Sequence, residues 1–185
     1  GTDTGGGLGL ATNADAEVNQ TNGFANSAFV EQGTNGGSAT GDEATTNQTR
    51  GDFNLIGINQ GTGTGSAAAR NTATANQVRG FANWAFIDQA DGFFGVAGSG
   101  NQNVATTTQT RGDLNEIDVY QGDGGSGNRN ESTTTQTGGF LNFIATLQGD
   151  TGGDGNRNTV EVNQRGGDEN IAGVRQGEGS GASGN

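Results

Sequence analysis

From Asn71 to Gln77 the chain reads NTATANQ, and from Asn115 to Gln121 it reads NEIDVYQ. Every second residue belongs to one set: Asn71, Ala73, Ala75 and Gln77 in the first stretch, Asn115, Ile117, Val119 and Gln121 in the second. A period of two is the mark of a β-strand with one buried face. The first pattern returns as Asn103, Ala105, Thr107, Gln109, as Asn130, Ser132, Thr134, Gln136 and as Asn158, Val160, Val162, Gln164, while Ala14 and Asp42 open its first two occurrences. The second returns as Asn26, Ala28, Val30, Gln32, as Asn54, Ile56, Ile58, Gln60 and as Asn170, Ala172, Val174, Gln176.

Glutamine sets the register. Gln20, Gln48, Gln77, Gln109, Gln136 and Gln164 follow one another at intervals of 28, 29, 32, 27 and 28 residues. Three residues after each stands a glycine: Gly23, Gly51, Gly80, Gly112, Gly139 and Gly167. Six residues after stands Asn26, Asn54, Asn83, Asn115, Asn142 or Asn170, and twelve after stands Gln32, Gln60, Gln89, Gln121, Gln148 or Gln176. Each repeat therefore reads as strand, five-residue turn, strand and a Gly-rich return such as GDTGGDGNR at 149–157. Such a unit cannot bury itself, but a stack can, with rungs about 4.8 Å apart and facing sheets about 10 Å apart. The predicted fold class is an all-β β-solenoid of six repeats in two facing, parallel, in-register sheets, with Asn and Gln side chains forming amide ladders. Its repeats cover 13–41, 42–70, 71–102, 103–129, 130–157 and 158–177, between a flexible Gly-rich segment at 1–12 and a Gly/Ser-rich tail at 178–185. The Gly-rich returns are expected to supply the positive-φ positions that tight corners need, and the absence of proline leaves every amide free for the ladders.

Composition narrows the function. With 38 glycines among 185 residues and 28% hydrophobic residues, a core of close-packed large side chains is not expected. A formal charge of −12, from 20 acidic residues against eight arginines, disfavours nucleic acid and anionic membrane as partners. Cysteine and histidine are absent, which removes thiolate nucleophiles, the commonest transition-metal ligands and the usual general base. No slot pairs a nucleophile with a base, so the expectation is a non-enzyme without cofactor or metal. The lack of methionine and of any long apolar run reads as a processed or trimmed chain whose targeting segment, if it was exported, has been removed.

A stack of this kind exposes unpaired backbone groups at both ends, which soluble solenoids cap. Neither GTDTGGGLGLAT at 1–12 nor the tail GEGSGASGN offers a helix or proline for that purpose, so the stack is expected to continue into the next molecule. The order Gln, turn glycine, Asn, an apolar residue two positions later and Gln six after the Asn resembles the curlin repeat of bacterial curli major subunits. The resemblance spans roughly residues 13–177. It departs in opening the first strand mostly with Asn, where the family has Ser, and in longer turns and returns. It implies a secreted subunit of an extracellular, cell-surface amyloid fibre in the biofilm matrix, passage through an outer-membrane secretion pore and nucleation by a minor subunit.

The turns hold two further motifs. Arg50-Gly51-Asp52 and Arg111-Gly112-Asp113 match a tripeptide read by cell-surface receptors, but they occupy turn slots filled by TNGFA, VRGFA, TGGFL and RGGDE elsewhere, so the turn itself explains the glycine. The next slot alternates strictly as Phe24, Asp52, Phe81, Asp113, Phe140, Asp168. On the outer face Phe29 and Phe86 alternate with Gly57, Asp118 and Gly173, which predicts a ring lying over a small neighbour. The alternative for Phe29, Phe81, Trp84, Phe86 and Phe143, with Phe93 and Phe94, is an apolar strip for lateral contact between fibres. Acidic returns such as GDGGSGN at 122–128 lack the regular oxygen cage that calcium needs. The Thr runs at 106–108 and 133–135 suggest an ice-binding face, which Glu131 and Glu161 are expected to interrupt. A soluble monomeric binding module for ice, calcium or a receptor is the competing reading.

Overall fold

The computed structural model describes residues 10–33, 36–63, 66–90, 98–122, 126–149 and 154–177. The chain coils six times, and each coil lays down three strands. The first holds β1 (Leu10–Thr12), β2 (Asp15–Thr21) and β3 (Ser27–Gln32); the second β4 (Ser38–Thr40), β5 (Glu43–Asp52) and β6 (Leu55–Gln60). The third holds β7 (Ala67–Ala69), β8 (Thr72–Phe81) and β9 (Trp84–Gln89); the fourth β10 (Ser99–Asn101), β11 (Val104–Thr110) and β12 (Glu116–Gln121). The fifth holds β13 (Ser126–Asn128), β14 (Glu131–Thr137) and β15 (Phe143–Gln148), and the sixth β16 (Asp154–Asn156), β17 (Thr159–Arg165) and β18 (Ile171–Gln176).

Like strands stack on like, all parallel, into three six-stranded sheets. The predicted β-solenoid and its in-register stacking are observed, with Gln48 beside Gln77 and Gln60 beside Gln89. The expectation of two sheets is corrected to three, because β1, β4, β7, β10, β13 and β16 make a sheet from segments read as returns. Apart from Thr12 and Thr40, these strands of Leu, Ser, Ala, Gly, Asn and Asp have little intrinsic β preference. They are extended because the coil below offers a row of backbone partners and their middle residues are small enough to turn inward; Ala39 and Ala68 are buried.

The core lies between the two long sheets and is asymmetric. One side supplies Ala44, Ala73, Ala75 and Ala105, the other Val30, Ile56, Ile58, Ile87, Ile117 and Val119 with a single alanine, Ala85. Large side chains on one sheet fill the space that small ones leave on the other, as close packing requires.

Glycines of the returns hold positive φ as expected, at Gly33, Gly41, Gly61, Gly122, Gly149 and Gly177, and the turns between the long strands add further such positions. Two residues after the first glutamine and again five after it, φ is positive, and most of these positions are not glycine: Asn22, Arg50, Arg79 and Arg111 in the first set, Ala25, Phe53, Ala82, Leu114, Leu141 and Glu169 in the second. The invariant glycine between them is needed for space. A Cβ on Gly23, Gly51, Gly80, Gly112 or Gly139 would fall on the amide nitrogen of the Asn three residues later and against a glycine carbonyl of the next coil. A Cβ at Gly167, in the last coil, would meet the Asn170 amide at 2.6 Å.

Gly51→Ala is therefore expected to destabilise the coil by about 1–3 kcal/mol, because neither backbone carbonyl nor ladder amide can yield. Gly166→Ala, whose Cβ meets nothing within 4 Å, should cost only the left-handed backbone, about 1 kcal/mol. Denaturant unfolding of the two variants checks the order; equal losses would contradict the steric account.

Candidate assembly surface

Two columns of glutamine run the length of the coil. In the first, Gln20, Gln48, Gln77, Gln109 and Gln136 each donate Nε2 to Oε1 of the glutamine in the next coil, ending at Gln164, over 2.6–3.1 Å. In the second, Gln32, Gln60, Gln89, Gln121 and Gln148 do the same up to Gln176, over 2.8–3.3 Å. Every link points toward the C-terminal end, so both ladders are polar.

The same nitrogens close the coil. Gln77 Nε2 donates to the carbonyls of Asn83, at the end of its own turn, and Leu55, in the coil before, at 2.9 and 3.0 Å. Gln60 Nε2 reaches the Glu43 and Asn71 carbonyls at 3.1 and 3.4 Å on the opposite corner. Each glutamine thus joins the end of one long strand to the start of the other.

The asparagines make the expected amide-to-amide links at three steps, Asn83 to Asn54, Asn142 to Asn115 and Asn170 to Asn142, over 2.9–3.2 Å, and add bonds to the backbone. Oδ1 of Asn26, Asn54, Asn83, Asn115 and Asn142 accepts the backbone N–H of the asparagine one coil on, at 3.0–3.1 Å. Their Nδ2 groups donate to the carbonyls of Gly51, Gly80, Gly112, Gly139 and Gly167 in that next coil. Asn170, in the last coil, donates in addition to the Gly166 carbonyl of its own turn.

A fourth buried column was visible as inward slots but not as a ladder. Oδ1 of Asn71, Asn103 and Asn130 accepts the backbone N–H of Asn103, Asn130 and Asn158. Asp42 takes the same place one coil earlier, accepting from Asn71 N at 2.7 Å and from Thr40 N at 2.9 Å. Burial raises its carboxyl to about 6, although those two N–H donors pull it back down.

On the outside, the aspartates of both Arg-Gly-Asp turns serve the backbone: Asp52 accepts from Phe24 N at 2.7 Å and Asp113 from Phe81 N at 3.0 Å. Phe53, one position off the alternating slot, links Phe24 and Phe81 with ring centroids 5.5 and 5.4 Å apart. Sequence reasoning passed over Phe53 because it looked only down one slot, whereas the turns place neighbouring slots side by side. Phe29 and Phe86 lean toward each other across Gly57, centroids 6.3 Å apart, in the predicted ring-over-glycine arrangement. Trp84 stands between Leu55 and Glu116, and Phe143 between Glu116 and Ile171. Phe81 and Trp84 remain about half exposed, Phe29 is 37% exposed, and Phe86 and Phe143 are half-buried. Phe93 and Phe94 lie outside the described residues.

Thr107 and Thr134 point inward, and Thr45, Thr74, Thr106 and Thr133 form one outward column with Glu17 and Glu161 at its ends. Glu131 lies on the same face in the neighbouring column, which Glu43 shares, so carboxylates interrupt the face in inner coils as well as at its ends. Among the described residues no three acidic side chains converge as a cation site would require. Beside Phe86 and Ala145 sits Asp118, whose carboxyl is pushed up to about 7 by burial first and by the nearby Glu116 second. Burial also raises Glu116.

No match to this chain is found among protein-family models, curated proteins or solved structures.

Both shifted aspartates have the same consequence for stability. Their folded-state values, about 6 and about 7, lie above the ordinary 3.8 of an unfolded aspartate, so the neutral acid favours the folded coil. The resulting stabilisation is complete below the unfolded value and is lost as pH rises through 6 to 7. Lowering pH from 8 to 5 should raise the unfolding midpoint, and the Asp42→Asn, Asp118→Asn double variant should flatten that slope. A slope unchanged in the double variant would assign the pH dependence to other groups.

Proposed function

We propose that this chain is the structural subunit of an extracellular, amyloid-like fibre that grows by templated end-to-end stacking of coils. The observation that carries the reading is the continuity of the ladders: the columns that bind coil to coil reach the outermost described coils. There Gln20, Asn26 and Gln32 face one way, and Gln164, Asn170 and Gln176 the other. Among the described residues nothing pairs with the outer edges of β2 and β3 or of β17 and β18. An open parallel edge with buried amide columns is a template for an incoming chain. Each added coil gains a row of backbone bonds and covers the apolar face of the last.

The stacked, buried glutamine ladders accord with a curlin-like design, and on that ground the fibre is assigned to the cell surface, with roles in adhesion, colonisation and biofilm matrix. The principal partner is another copy of the chain. A nucleating minor subunit and a secretion pore are the further partners the resemblance implies. The acidic surface argues against nucleic acid and anionic lipid, and the chain acts without catalysis. The Arg-Gly-Asp turns are read as structural, since their aspartates are engaged by backbone N–H groups.

Purified chain held at neutral pH should form unbranched fibres with an axial reflection near about 4.8 Å. Gln77→Asp should slow assembly at least tenfold, because a buried carboxylate would replace a donor that serves three oxygens, at a cost of about 3 kcal/mol or more. Asn83→Asp should act in the same direction. Asp52→Ala removes one exposed bond and should change the rate less than about threefold. Electron microscopy with fibre diffraction and dye-binding kinetics tests all of these. A persistent monodisperse monomer, or equal kinetics for ladder and turn variants, would overturn the reading.

A further inference from the structure

Resting on the fibre reading, we propose that copies join head to tail, the sixth coil of one seating the first coil of the next in unbroken register, so that the fibre is polar. The argument comes from what each column carries at its two ends.

The amide columns are directional. Gln164 and Gln176 receive bonds from the coil before them and present Nε2 onward, where Oε1 of Gln20 and Gln32 in a second copy would accept as Gln48 and Gln60 do within the chain. Asn170 has turned its Nδ2 back onto its own turn at Gly166, and the Gly23 carbonyl of an incoming coil would supply the acceptor that Gly51 gives Asn26.

The period-two features stay in phase because the number of coils is even. The turn slot runs from Phe24 to Asp168, so the next copy's Phe24 follows an aspartate, as Phe81 follows Asp52. On the outer face the column runs Phe29, Gly57, Phe86, Asp118, Ala145, Gly173. At Gly57 the space of a Cβ is occupied by the rings of Phe29 and Phe86, but at Gly173 nothing lies within 4 Å. Phe29 of a second copy would lie over Gly173 as Phe86 lies over Gly57.

Charge agrees in the column that starts at Glu31 and ends at Arg175, which a head-to-tail junction brings together as an ion pair. One column opposes it: Glu161 would meet Glu17, although each already accepts from an asparagine amide, Asn163 at 2.7 Å and Asn19 at 2.9 Å. A two-fold junction, head to head or tail to tail, pairs strands antiparallel and sets every column out of line, with no contact between Arg175 and Glu31.

The test uses Arg175→Glu and Glu31→Arg in the full chain at low salt, where an exposed pair is least screened. Either variant alone carries like charges at every junction and should elongate roughly fivefold more slowly than wild type. An equimolar mixture should recover the wild-type rate, because alternating copies restore an opposite pair at each junction. Gly173→Val, with open space around it in the single chain, should leave unfolding unchanged and still slow elongation. Two-colour growth from wild-type seeds should show unequal rates at the two ends, a readout independent of whether the variants fold. Wild-type fibres with equal end growth, or single variants that match wild type, would overturn the polar junction alone. Absence of wild-type fibres would overturn the fibre reading beneath it.

Discussion

The structure depends on satisfying a primary amide away from water. A buried Nε2 that lacks acceptors costs about 1–3 kcal/mol, and here each interior glutamine finds one acceptor in the next coil and others on the backbone at the corner. Those corner carbonyls lie where the chain changes sheet, and those of Asn54, Asn71, Asn83, Asn115 and Asn142 also accept a backbone N–H from the coil before, so the glutamine adds a second donor there. One side chain therefore does two jobs, fixing the spacing of coils along the axis and the length of each long strand across it. That coupling explains why twelve positions hold glutamine while the outward residues between them drift from Glu to Thr to Phe.

The asparagines set the second constraint. Because an Asn amide fills the space beside the turn glycine, the ladder demands the glycine at every coil, and at Gly80, Gly139 and Gly167 a positive φ demands it as well. The left-handed positions on either side are then free to carry Arg, Ala, Phe or Leu. With both corners clamped, the interior needs only modest apolar filling, an isoleucine face against an alanine face, which reconciles an ordered interior with a chain poor in hydrophobic residues.

Much of this was legible in the chain. Alternation gave the long strands, and the spacing of Gln, Gly, Asn and Gln gave their register, because those positions answer to a neighbour one repeat away. The third sheet escaped because its strands are three residues long and are extended only by the coils above and below them, a signal that no single window of sequence carries. The reason for the turn glycines escaped too, since close approach to Asn three residues on is a fact of space. Asp42 looked like an exception to the Asn rule, yet its carboxylate takes the same N–H from the following coil. The link from Phe24 through Phe53 to Phe81 was hidden because it moves between two slots.

The left-handed corners bear on how the chain behaves before it has a neighbour. Among the described residues sixteen that are not glycine hold positive φ, and the third coil alone has Arg70, Arg79, Ala82 and Ala90 there. Each costs about 1 kcal/mol or more relative to an ordinary backbone, a debt that a lone coil meets with almost no hydrogen bonds, since its donors and acceptors point up and down the axis. Coils on either side cancel that debt. The first coil to form is therefore the costly one, and each later coil is set against an edge already in place.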